Sequence, residues 1–349
     1  MYRFDVLVDE WVREHKIPGG VLSVTVANRF QFQKAYGSYS DGIRDNPIGL
    51  DTLFDLASLT KVVSTLPAML TLVAQGKLKL DDPVNQFIAE FAYPDITIKH
   101  LLMHTSGLRA DLPYKNRAAQ GRDVLSEVLQ QESVAPPGTE VTYSDLGMIL
   151  AGEIIARVSG EPLDRFVQRS IFEPLGMDSV SFNPDASLKP RIAATELVDG
   201  VYVHGEVHDE KCLHLGGVSG SAGLFGTAED LTRYAQFWLH PEKAALLPPE
   251  LLRECVQDPF QNRGIGWEVW QDPDKIPASC GATWTKGSFG HTGFTGTSLW
   301  IDPVRELAVV FLTNAVHFGR NNPVRHLRRT LHDEIAAALF PSPGEAQSP

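Results

Sequence analysis

Apolar positions in residues 3–16 recur at helical spacing (Phe4, Leu7, Val8, Trp11, Val12) and stop at Pro18-Gly19-Gly20, which predicts an opening helix. The next two runs, 21–27 and 31–36, are rich in β-branched and aromatic residues around a short polar turn, the pattern of an antiparallel hairpin. A polar, turn-rich stretch leads to Leu53-Phe54-Asp55-Leu56-Ala57. A long apolar helix is then predicted from Ser58 to Ala74, closed by Gly76. From residue 80 to 190 the pattern changes to helical segments punctuated by prolines. Beyond it, strand-like runs are expected at 192–197 and 201–204, followed by a glycine-rich passage at 216–226 and helices at 229–239 and 249–256. Three strands, 288–291, 297–301 and 307–313, and a helix over 322–339 close the chain. The fold class is therefore α/β (α+β): an antiparallel sheet built from both chain ends, flanked by helices, with an inserted mostly helical domain. The expected division is 1–78 with 191–340 for the sheet domain, 79–190 for the helical domain, and 341–349 as a disordered tail.

Composition narrows the function. Among 349 residues, 31 Lys and Arg stand against 43 Asp and Glu, a net charge of −12, and 43 % of positions are apolar. An acidic balance argues against nucleic acid, which demands clustered cations. The one concentrated basic run, Arg325-His326-Leu327-Arg328-Arg329, reads as the solvated face of an amphipathic helix. Cys212, Cys255 and Cys280 have neither disulfide-framework nor zinc spacing, and Cys212 reads as a small buried hydrophobe. Residues 1–16 lack the apolar core of a signal peptide, and no stretch approaches the ~20 apolar residues of a membrane span, so a cytoplasmic protein with no membrane span is expected.

The candidate chemistry begins at Ser58-Leu59-Thr60-Lys61, the chain's only Ser-x-x-Lys. Three residues are nearly one helical turn, so the amine of Lys61 can reach the hydroxyl of Ser58. A serine at a helix N-terminus also lies beside backbone N–H groups able to hold an oxyanion. By itself the motif fits a capping serine with a snorkelling lysine better than a nucleophile. Tyr143-Ser144-Asp145 adds a phenol that can shuttle a proton when an ammonium is close, and His291-Thr292-Gly293 ends a strand, with the Phe294 N–H next in line as a second oxyanion donor.

Taken in order, Ser58-x-x-Lys61, Tyr143-Ser-Asp145 and His291-Thr-Gly293 resemble the serine β-lactamase and penicillin-binding-protein superfamily. Within it they resemble the class C β-lactamase-like serine hydrolases, which include family VIII esterases, D-aminopeptidases and carboxypeptidases. The surrounding segments Phe54-Asp55-Leu56-Ala57, Leu101-Leu102-Met103-His104-Thr105-Ser106-Gly107-Leu108, Pro137-Gly138-Thr139, Pro174-Leu175-Gly176-Met177 and Gly264-Ile265-Gly266-Trp267 are similar too, so the likeness spans residues 5–335. It implies Ser58 as acylated nucleophile, Lys61 and Tyr143 as its proton acceptors, His291 in the third motif, and the Ser58 and Phe294 N–H groups as oxyanion hole, with no metal or organic cofactor. Asp145, Gly293, Phe294 and His208 are the implied substrate-binding residues.

Two departures bear on substrate. His291 stands where many relatives carry lysine and is mostly neutral at pH 7 unless a carboxylate adjoins it, which weakens the case for penicillin-type substrates. Asp145 stands where many have asparagine; a carboxylate can only accept hydrogen bonds, from Lys61 or from a substrate N–H. The expected partner is a small-molecule ester, amide or peptide. Muropeptide or D-amino-acid hydrolysis and true β-lactamase activity are the alternatives within catalysis, and a catalytically inactive binding module is the one outside it.

Three further features carry chemistry-bearing residue types. The segment running from His204 to Glu210, with His214 beyond, has metal-ligand residue types but reads better as a cleft wall or polar network. His100 and His104 read as buried, hydrogen-bonded structural groups. Trp267, Trp270, Trp284 and Trp300 read as core, or as walls of the pocket.

Overall fold

The computed structural model describes residues 2–27, 29–112, 117, 122–271 and 279–341. Of the expected tail at 341–349, residues 342–349 lie outside them. The N-terminal helix Arg3–Arg13 is followed by β1 (Gly19–Val26), β2 (Phe30–Ser40), β3 (Asp45–Pro47) and the two-residue β4 (Phe54–Asp55). Short strands β5 (Ser181–Phe182), β6 (Leu197–Val198), β7 (Val201–Tyr202) and β8 (Leu224–Gly226) lie mid-chain. They precede β9 (Glu268–Val269), β10 (Phe289–Thr292), β11 (Ser298–Asp302) and β12 (Leu307–Leu312). The main sheet runs β3-β2-β1-β12-β11-β10-β9, so the two chain ends meet where β1 pairs antiparallel with β12. A small sheet, β4-β8-β5, carries the approach to Ser58.

Side-chain alternation on the central strands sets up two cores. Leu22, Val24 and Val26 of β1, with Leu307, Val309 and Phe311 of β12, pack under the N-terminal helix and the C-terminal helix Val324–Leu339. Ala308, Val310 and Leu312 face the other way, into the larger core shared with the helices Leu66–Ala74, Asp145–Ser159 and Ala228–Leu239. All eight residues of β1 are buried because helices cover both faces. Each fully buried aliphatic side chain contributes about 1.5–3 kcal/mol.

The structure departs from the expected pattern in four places. The helix predicted from Ser58 is a 3-10 turn over Ala57–Leu59, a π-helical turn over Lys61–Thr65, then an α-helix over Leu66–Ala74. Although Ala57–Ala74 is long and apolar enough to cross a membrane, 78 % of it is buried inside the fold. The runs at 192–204 give only the β6–β7 hairpin, since Thr195 and Val203 carry the pairing on as single hydrogen bonds. Finally, the basic run is not wholly solvated: Arg325 is exposed, but Arg328 is buried and donates to the Thr297 carbonyl at 2.7 Å. A guanidinium with five donors can satisfy strand carbonyls that a helix face alone would not reveal. All four tryptophans singled out are buried in the two cores, and Cys212 is buried with its thiol pKa pushed up by desolvation.

Candidate active site

Ser58 sits on the 3-10 turn that follows β4. Asp55, the last residue of β4, fixes this elbow with both carboxylate oxygens: one accepts the Ala57 N–H at 2.8 Å and the other the His208 N–H at 2.7 Å. Ala57 has a positive φ of 47°, and the cage of hydrogen bonds holds it there. The π-helical turn that follows starts at Lys61, whose side chain returns toward Ser58.

Lys61 is the centre of the site. Its Nζ lies 3.0 Å from Ser58 Oγ, 2.8 Å from the Ser221 carbonyl and 2.8 Å from Asp145 Oδ1, with the side chain 1 % exposed. Burial works against the ammonium, but Asp145 and Tyr143 outweigh it and raise the pKa above the ordinary lysine value. Burial likewise opposes ionised Asp145, yet Lys61 and Lys211 hold its carboxyl below the usual range. The Ser221 carbonyl can reach Lys61 because Gly220 lies against Gly152 and the Met148 carbonyl, where a Cβ would fall 2.1 Å from that oxygen. Asp145 Oδ2 continues to Lys211 at 3.3 Å, and Lys211 also meets Asp111 at 2.9 Å and Asp209 at 3.1 Å.

Tyr143 immediately precedes the Ser144 cap of the helix Asp145–Ser159. The loop before it is pinned to the histidine-containing motif: the Thr142 N–H donates to the His104 carbonyl, the Ser144 N–H to His104 Nδ1 at 3.1 Å, and the Asp145 N–H to the Ala110 carbonyl. His104 thus does the structural work expected of it, but it also lies 4.4 Å from the Tyr143 ring, centroid to centroid. Lys61 Nζ and the Arg263 guanidinium stand 5.1 Å and 5.3 Å from the same ring.

His291, on β10, faces Tyr143 at 5.9 Å and is buried. Its Nδ1 lies 2.9 Å from the Thr292 carbonyl, which assigns the proton to that nitrogen and leaves Nε2 an acceptor. Burial, then Arg263 and Lys61, push its pKa well below the ordinary value, so no imidazolium cation replaces the lysine of other relatives. Gly293 is required by internal fit: a Cβ there would come 2.1 Å from Thr297 Oγ1 and 2.5 Å from the Leu56 carbonyl. Phe294, half exposed, stacks on the His208 ring at 5.7 Å and lies under Arg320 at 5.8 Å.

The His204-to-Glu210 segment divides. His204 turns away to the Lys189 and Ile192 carbonyls, whereas His208 donates to Glu196 at 2.8 Å and lines the cleft with Asp209 and Glu210. No group of three or more metal-ligating side chains gathers among the described residues. His100 is partly buried and completes the cap of the helix Ile98–Leu102. Every predicted site residue therefore borders one cleft around Ser58, except Lys61, which lies buried beneath it and reaches it through Ser58 Oγ. Lys211, Asp111, Arg263 and Arg320 join it without having been singled out in the sequence. Arg263 directly precedes the Gly264-Ile265-Gly266-Trp267 segment and Lys211 follows Glu210, so position along the chain was the only signal available.

A family model described as beta-lactamase matches residues 4–334. The chain belongs to the beta-lactamase family. As a member of this family of serine hydrolases, it is 34 % identical to an Escherichia coli O157:H7 protein provisionally named D-alanyl-D-alanine carboxypeptidase, over 91 % of this chain and 84 % of that one. A Salmonella agona protein with the same name is 33 % identical over 90 % and 84 %. Among solved structures, a class C beta lactamase superposes with a TM-score of 0.76 at 21 % identity, covering 96 % of this chain and 97 % of its own. EstCE1, described as a hydrolase with promiscuous acyltransferase activity, gives 0.75 at 22 %, covering 94 % and 97 %. These superpositions establish the beta-lactamase fold expected from the sequence.

Proposed function

We propose that this beta-lactamase-family hydrolase cleaves ester or amide bonds of small substrates through an acyl-enzyme on Ser58. The carrying observation is the buried Lys61 ammonium, 3.0 Å from Ser58 Oγ and fixed by Asp145 and the Ser221 carbonyl. Such a cation polarises the hydroxyl and holds it in one rotamer. As Ser58 Oγ bonds to the substrate carbonyl carbon, its proton passes to the oxygen of Tyr143, acting as the phenolate that the Lys61 ammonium stabilises, and then from Tyr143 to the leaving amine or alcohol. The Ser58 and Phe294 N–H groups receive the oxyanion. Water then attacks the acyl ester through the same pair, and Ser58 regains its proton. His291 and His208 border the substrate as neutral and carboxylate-paired rings respectively, and Asp145 holds Lys61 rather than the substrate.

Hydrolysis of D-alanyl peptides is the second reading, favoured by the names of the curated relatives at 33–34 % identity. Both readings are tested by labelling purified protein with a fluorophosphonate serine probe, beside Ser58→Ala, and by a panel of p-nitrophenyl esters, D-alanyl peptides and a chromogenic cephalosporin. Labelling that depends on Ser58, with ester or peptide turnover above cephalosporin turnover, is expected. Labelling that survives Ser58→Ala sinks the proposal.

A further inference from the structure

The cleft around Ser58 has two unlike ends. On one side Ser58 and Tyr143 border a cavity of about 140 Å³ that also meets Asp111, Asp145, Asp209 and Lys211. Two lysines, Lys61 and Lys211, serve three carboxylates here, leaving one negative charge in excess. Asp111 is the most open of the three, with a third of its side chain exposed. Nearby Arg320 is itself shared between Glu196 and Glu210, so it does not offset that excess.

On the other side Ser58 and Tyr143 border a larger cavity of about 640 Å³ reaching Arg263, His291, Arg325 and Glu268. Both oxygens of Glu268 are taken by Ser279, and Arg328 is committed to the Thr297 carbonyl. Among the described residues neither Arg263 nor Arg325 has an ion-pair partner. Arg263 lies against the Tyr143 ring with a buried Nη1 that has no hydrogen-bond acceptor. A guanidinium so placed, in the same cavity as the nucleophile and lacking an anion among the described residues, is a carboxylate receptor by its chemistry.

We propose that the cleft selects dipolar amides: molecules with a free ammonium on the acyl part and a free carboxylate on the leaving part, that is, unblocked dipeptides of small residues. This rests on the acyl-enzyme reading above and specifies its substrate. The orientation follows from the dipeptide itself, since the residue that carries the ammonium is the one that carries the scissile carbonyl. Its ammonium meets Asp111 and Asp209, and the carboxylate of the second residue meets Arg263. The acyl-side cavity is well below the ~300–1,000 Å³ of pockets for drug-sized ligands, which limits the first residue to a small one. Ser58 Oγ bonds to the carbonyl carbon, the C–N bond breaks, and the departing nitrogen takes the serine's proton and leaves as a free amino acid. One water then releases the second amino acid and restores Ser58.

The test compares alanyl-alanine, in its L,L and D,D forms, with its N-acetylated, C-amidated and doubly blocked versions on the wild-type protein, alongside p-nitrophenyl acetate. A charged hydrogen bond at each end predicts kcat/KM for the unblocked dipeptide at least ~10-fold above either singly blocked form. Asp111→Asn should erase the penalty for N-acetylation but keep that for amidation, and Arg263→Gln should do the reverse. A generally damaged fold would not separate the two ends. If the blocked peptides react as well as the free one while the neutral ester is hydrolysed, the dipolar reading is overturned and the serine hydrolase stands. If neither ester nor peptide reacts and Ser58 takes no label, both fall.

Discussion

Two fully buried ionisable side chains, Lys61 in the cleft and His332 beneath the C-terminal helix, meet opposite fates. Lys61 is surrounded by acceptors (Ser58, the Ser221 carbonyl, Asp145) and remains charged. His332 is packed against Trp284 and Trp300 with no charged acceptor on its ring nitrogens among the described residues, and burial followed by the neighbouring Arg328 lowers its pKa to about 3. Desolvation acts on both; only the first has neighbours that compensate it. A buried charge kept at that cost, beside a hydroxyl in an open cleft, marks function, whereas a neutral histidine among tryptophans marks packing.

The largest effect that would break this contrast is expected at Lys61. Lys61→Met should lower kcat by about a thousandfold or more, in line with losing the partner of an activated nucleophile. A variant within tenfold of wild type would show that the ammonium is structural. Next comes Asp145→Asn. Asp145 raises the pKa of Lys61, so its removal should move the alkaline fall of the kcat/KM–pH profile, where the ammonium is lost, to lower pH by about one unit or more. An unmoved profile would mean that Asp145 does not govern the charge of Lys61.

His332 gives a stability prediction with the opposite sign of dependence. Its folded pKa lies below the ordinary 6.5, so the unfolded chain takes up the proton first, and stability is full above about pH 6.5 and is lost as pH falls from there toward 3. His332→Phe should flatten that decline in urea melts between pH 7 and 5 while leaving serine labelling in place. A decline of undiminished slope would assign the acid sensitivity elsewhere. The smallest effect is at His291. Restoring a permanent cation with His291→Lys should raise cephalosporin turnover relative to ester turnover a few-fold, and an unchanged ratio would remove carboxylate recognition from the role of this position.

Much of this arrangement was legible in the chain, for identifiable reasons. The β-branched, apolar runs of β1 and β12 and the helical period of the two terminal helices announced a sheet made from both ends, because a strand covered on both faces reads as a near-continuous apolar run. Ser58, Lys61, Tyr143 and His291 were legible through order and spacing. What escaped was whatever depends on long-range contact. Lys211 meets Asp111 across 100 positions, and Arg263 reaches Tyr143 across 120. Neither belongs to a local pattern. The π-helical turn at Lys61 escaped for a different reason: an apolar run such as Lys61–Ala74 has no polar face whose phase would reveal an extra residue. The burial of Arg328 was hidden likewise, since the Thr297 carbonyl it serves lies on another element.

The central claim is that the Lys61 ammonium serves a nucleophilic Ser58. Intact-protein mass spectrometry after brief reaction with a slowly deacylating ester, followed by peptide mapping, tests it most directly. The account predicts a single acyl adduct on Ser58, absent in Ser58→Ala, strongly reduced in Lys61→Met and undiminished in His332→Phe. An adduct on any other residue, or one equally abundant in Lys61→Met, would contradict it.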